Sequence, residues 1–135
     1  MGPRWIKIAS IYFILGIAIG IFMSASLQLE WAARHAHVNL AGWASMWIIG
    51  LTYTVFPEAG RNMLVVWNFW LYNIGLPILL ISMFMIQMEP PFEAWISFVH
   101  IFTYVGGTMV AIGVILFIIN IFKNAHDSTS YKNIN

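Results

Sequence analysis

The chain of 135 residues is 61% hydrophobic and only 8% charged, with a net charge of +1 and no cysteine. A soluble domain carries about a quarter charged residues, so these proportions exclude one and mark an integral membrane protein; nothing in the charge balance addresses nucleic acid. The lack of cysteine removes covalent c-type haem attachment, iron–sulfur clusters, thiolate metal sites and disulfides, which leaves metal chemistry to histidine, methionine and carboxylate.

Four uncharged runs, at 8–29, 35–57, 62–88 and 94–122, each exceed the roughly 20 residues a helix needs to cross a hydrocarbon core. They are continuous rather than alternating, which excludes a β-barrel. The reading is an all-α membrane protein, a four-transmembrane-helix bundle over 1–123 with helices at about 5–29, 36–57, 63–88 and 94–122, and a polar cytoplasmic tail at 124–135.

Helix one begins with a basic residue and contains "MSASL", which looks like a secretory signal, but its apolar run continues to Glu30 and is read as a span. Gly16 and Gly20 lie four apart on it, the spacing that lets membrane helices approach closely, within one chain or between copies. Helix two opens at His35 and His37 and carries Ala41, Ala44, Trp43 and Trp47. Helix three has two amides, Asn68 and Asn73, suited to hydrogen bonds across helices or to contact with a quinone. Gly75 and Pro77 predict a kink there, and the methionines of "MFMIQM" offer thioethers near its end. Helix four carries His100 and, seven residues on, Gly107, where a missing side chain leaves room for a flat ring; Gly107 and Ala111 repeat the small-residue spacing. His126, in the tail, receives no role.

Basic residues fix the orientation. Arg4, Lys7, Arg61, Lys123 and Lys132 fall on one side and only Arg34 on the other, so both termini are expected in the cytoplasm of a bacterial or archaeal plasma membrane. Trp5, Trp67 and Trp70 at one boundary and Trp31 and Trp95 at the other are expected to form aromatic belts.

His37 lies 21 residues before Glu58 and His100 lies 23 before Lys123. At 1.5 Å per residue both stand roughly 30–35 Å from the inner charges, at one expected depth near the outer face. Two imidazoles at one depth on two helices are the simplest protein arrangement for holding a haem iron from both sides. His35, about 200° around the helix from His37, addresses a different partner. Ser97 and Thr103 for His100, and Asn39 for His37, are candidates to orient the rings.

The segment "HVNLAGWASMWIIGLTYTVFPEAG", residues 37–60, resembles the second transmembrane helix of the catalytic subunit of nitric oxide reductases and related haem–copper oxidases, with His37, Asn39, Tyr53, Pro57 and Glu58 in the matching places. The resemblance implies that His37 ligates a low-spin haem b near the outer face. "HAHV" is similar to that superfamily's other haem-bearing helix, where two histidines one residue apart serve two haems. The superfamily's twelve helices form three similar arcs of four, and this chain has the length of one arc, so the analogy implies a dimer or trimer that sets His35 or His100 of one copy against His37 of the next.

The expectations are therefore haem b, with copper as a second candidate metal, held by His37 and His100, with His35 a further metal ligand and Asn39, Ala41 and Gly107 lining the cofactor. The role expected is electron transfer, or binding or reduction of oxygen or nitric oxide, with a quinol or a cytochrome as donor and oxidoreductase activity if an assembly opens an iron site. Two rival readings are a copper carrier or assembly factor using His35, His37 and methionines, and a scaffolding subunit without cofactor.

Overall fold

A computed structural model describes residues 1–125; the tail assigned from 126 onward, with His126, lies outside the described residues. All regular structure among these residues is helical. α1 spans Gly2–Ser26, and a 3-10 turn, Leu29–Trp31, leads into α2, Ala32–His37. A π-helical segment, Val38–Ser45, follows, and then α3, Met46–Val55. α4 spans Met63–Met85 and α5 spans Trp95–Asn124. α1, α4 and α5 are each long and apolar enough to cross a membrane.

α2, the π segment and α3 form one continuous rod. The junction residues His37, Val38, Ser45 and Met46 all hold right-handed helical angles, so only the winding changes, not the direction. The rod covers 32–55, four residues earlier at its start and two at its end than the expected 36–57. Over the π segment the hydrogen bonds reach one residue further back than in an α-helix, which widens the turn.

Local chemistry sets the ends. Pro3 in the first turn of α1 has no backbone N–H to waste on an unpaired position. α1 stops at Leu27, held in the left-handed region at φ 56°, a conformation that costs a branched residue of order 1 kcal/mol and breaks the helix. Asn62 caps α4 by accepting the Val65 N–H at 3.2 Å. Pro77 lies within α4 without ending it.

The rods run antiparallel in sequence order, so Gly2, Val55, Met63 and Asn124 gather at one end, called here the near end, and Ser26, Ala32, Met85 and Trp95 at the far end. α1 packs along the π segment and α3, while α4 and α5 form the most extensive helix pair. That pair crosses on glycines. A Cβ on Gly106 would stand 2.5 Å from the Leu79 amide nitrogen and 2.8 Å from the Gly75 carbonyl, so the two backbones touch there. The expected small-residue position Gly107 is different: its nearest neighbour is Leu79 Cδ1 at 4.0 Å.

The core lies toward the near end. Trp5, expected at the membrane boundary, is wholly buried, with the rings of Phe69 and Tyr72 edge-on at 5.4 and 5.5 Å. Its indole nitrogen is buried without a hydrogen-bond partner. Trp67 and Trp70 do face outward, as a belt requires.

A buried polar chain ties three rods together at this end. Tyr53 donates its hydroxyl to Asn68 Oδ1 at 3.0 Å, and Asn68 Nδ2 donates to the Gly113 carbonyl at 2.8 Å. Asn120 Nδ2 donates to the Ala59 carbonyl at 2.8 Å, while its Oδ1 accepts from Asn62 at 2.6 Å and Asn124 at 2.8 Å. Asn120→Leu removes the hub and strands those buried groups. Thermal unfolding in detergent is expected to show a loss of about 1–3 kcal/mol, and an unchanged transition would mean the network holds nothing together.

Candidate functional site

His35, His37 and His100 lie in the far half of the bundle, whereas Tyr53 and Glu58 lie at the near end. His35 turns toward α1, where Gly20 and Gly16 leave space for it and for Asn39. A Cβ on Gly20 would stand 3.0 Å from His35 Cε1, and one on Gly16 would overlap Asn39 Oδ1. The Gly16/Gly20 spacing thus serves packing within the chain: the two glycines admit a histidine and an amide between helices.

Asn39 does not orient His37. Its Nδ2 donates to the His35 carbonyl at 2.9 Å and sits 3.3 and 3.4 Å from the two ring nitrogens of His35. A point equally far from both nitrogens at that distance cannot lie in the ring plane without overlapping Cε1, so the amide rests on the ring face.

His37 faces the opposite way and is exposed. Its Nδ1 stands 2.7 Å from the Ala33 carbonyl one turn back. A carbonyl only accepts, so the contact is a hydrogen bond when Nδ1 carries a proton; in a neutral ring that tautomer leaves Nε2 as the acceptor. That is the tautomer a metal-ligating histidine adopts when its other nitrogen is held by a carbonyl. Spacing alone suggested Asn39 for this task; an i−4 carbonyl is available on any helix and leaves no mark in the sequence.

His100 is also exposed, with its ring 6.1 Å from that of Tyr104. Thr103, a candidate to orient it, instead donates to Ser82 Oγ at 2.9 Å and to the Val99 carbonyl at 3.1 Å. Gly107 is half-buried with open space beside it, and the Ala41 carbonyl accepts the Tyr72 hydroxyl at 3.0 Å.

The two histidines differ in depth, and α4 serves as the ruler. Arg34 Nε donates to the Met83 carbonyl at 2.8 Å, one residue from the Ser82 that Thr103 reaches. His37 is three residues nearer the core than Arg34, and His100 three residues further out than Thr103. Because Met83 already lies one residue further out than Ser82, the difference is five residues, which at 1.5 Å set His100 about 7 Å further toward the far end. The near-end link gives the same sign. Tyr53 Oη and Asn120 Nδ2 lie 3.4 Å apart, sixteen and twenty residues from His37 and His100, an offset of about 6 Å. The equal depth expected from counting is thereby corrected, because the inner charges used as zero do not lie at one level.

No group of three or more histidine, cysteine or carboxylate side chains gathers to hold a metal ion among the described residues. His37 stands exposed, with Ala33 one turn back and its Nδ1 within hydrogen-bond distance of that residue's carbonyl. Compared with protein-family models, with characterised proteins and with solved structures, the chain matches none.

Proposed function

We propose that this is a four-span membrane protein, both termini cytoplasmic, that binds haem b near the extracytoplasmic face through His37 and serves electron transfer. One observation carries the reading. In a chain with 8% charged residues, His37 is exposed on its helix and sets Nδ1 2.7 Å from the Ala33 carbonyl, an arrangement that in a neutral ring leaves Nε2 available to a metal. Ionisable groups in such segments are costly, and they persist where they have work to do. The rod 32–55 supplies the fourth span, its length about 36 Å at α-helical rise. The bias of basic residues toward the near end supports the orientation.

The chain's own groups have limited parts to play. His37 would bind the iron, and the Ala33 carbonyl would fix its ring through Nδ1. Bound there, a haem held by histidine on both sides would supply one-electron transfer. A quinol or a cytochrome fits as donor.

The reduced-minus-oxidised spectrum of purified protein, repeated with carbon monoxide, tests this. A sharp α band that carbon monoxide leaves unmoved is the expected result. A shifted Soret band would replace electron transfer with binding of a diatomic gas, and a protein without haem bands would end the reading in favour of copper or a scaffold.

A further inference from the structure

Aromatic rings join the α1 side of the molecule to α4 at both ends. Trp5 meets Phe69 and Tyr72 toward the near end, and at the far end Trp31 stands between Phe22 and Phe84, with ring centroids 5.0 and 5.2 Å away. Between these joins α1 and α4 make no extensive contact and leave a groove of about 410 Å³, lined by Ile8, Leu15 and Ile19 of α1, by Ile81 and Phe84 of α4, and by the buried Val38. From Ile8 to Ile19 is eleven residues, about 16 Å at helical rise. That is half of a hydrocarbon core about 30 Å thick, the reach of an acyl chain from one leaflet.

The groove leads out of the hydrocarbon. Phe84 also lines a second hollow at the far end, of about 360 Å³, whose other walls are Gln28, Glu30, Trp31, Gln87 and Met88. An apolar groove that meets amides and a carboxylate at one shared ring matches a molecule with a tail and a polar head. Charge selects the head. Arg34 donates Nε to the Met83 carbonyl at 2.8 Å, beside Phe84, and Nη1 to the Glu30 carbonyl at 2.7 Å. Both acceptors are main chain, and neither Arg34 nor Glu30 enters an ion pair among the described residues. The remaining guanidinium N–H groups fit a phosphate, while the Glu30 carboxylate and the Gln28 and Gln87 side-chain carbonyls fit the N–H donors of an ammonium group. We infer that this site holds one phosphatidylethanolamine of the far-end leaflet, an acyl chain in the groove, its phosphate at Arg34 and its ammonium at Glu30. A prenylquinone would fill the groove but leave both charges without a counterpart.

Native mass spectrometry of the full-length protein, delipidated in detergent and then offered phosphatidylethanolamine or phosphatidylglycerol, tests this. One phosphatidylethanolamine per chain is expected, held about fivefold more tightly than phosphatidylglycerol, the scale of one well-placed exposed ion pair. Leu15→Trp and Ile81→Trp fill the groove from either wall, starting from exposed side chains. Both are expected to lose the lipid while keeping the lipid-free melting temperature of the wild type. Glu30→Gln is expected to hold the two lipids equally, and Arg34→Gln to weaken both. Equal retention of the two lipids by the wild type would overturn the inference, as would wild-type retention of phosphatidylethanolamine by both tryptophan variants. Recovery of one prenylquinone per chain in place of phospholipid would overturn it too.

Discussion

Replacing His37 by alanine is expected to lower haem retention at least tenfold while the chain still folds and inserts. The reason is geometric. No other imidazole replaces it: His35 is turned onto α1 with the Gly20 notch beside its Cε1, and His100 lies one to two turns further out. Loss of partners that merely orient a metal ligand costs about 10–100-fold in affinity, and loss of the ligand itself costs no less. Folding is spared because the side chain is exposed and its only hydrogen bond is to its own helix. His35→Ala supplies the control. It empties the space beside Gly20, so a lower melting temperature is expected with haem content kept, as absorbance per chain will show. Equal haem in wild type and His37→Ala would sink the assignment.

The largest structural effect is expected from Gly106→Val. Atoms 2.5 and 2.8 Å from the added Cβ belong to the α4 backbone, and neither can swing aside as a side-chain tip would. Relieving the overlap means moving the α4 and α5 backbones apart at their crossing, and overpacking costs about 1–3 kcal/mol, more where backbone must shift. Loss of folded protein in mild detergent, seen as aggregation on size-exclusion chromatography, is the expected outcome. Gly107→Val, one residue on, meets only Leu79 Cδ1 at 4.0 Å and is expected to leave folding nearly unchanged. Similar behaviour of the two variants would show that the crossing does not depend on a glycine.

Composition and run length made the helical class and the positions of the apolar segments legible, because hydrocarbon admits little else. Facing was less legible. Gly16 and Gly20 read equally as a surface between chains or within one, and only the placement of His35 and Asn39 on them decides for the latter. Depth failed for a similar reason: counting from Glu58 and Lys123 assumes a common zero that the loop 56–62 and the longer α5 do not share. Trp5 was misread as an anchor because a tryptophan near a terminus looks alike whether it is interfacial or folded under a core. Asn120 was passed over, although an amide inside an apolar run with Asn124 one turn on was the available signal. The contact of His37 Nδ1 with the Ala33 carbonyl could not be read at all, since the partner is main chain.

The widened turn over Val38–Ser45 holds about one residue more than a straight rod of that length would contain. Shortening the chain by one position there would let the turn close to ordinary winding while both flanks kept their bearings, so His35 would still look toward α1 and Tyr53 toward α4. What would vanish is the offset that turns the Ala41 oxygen toward the Tyr72 hydroxyl. The surplus residue thus acts as slack in the rod: it leaves the aim of the imidazoles untouched and provides a latch between the first half of the bundle and the second.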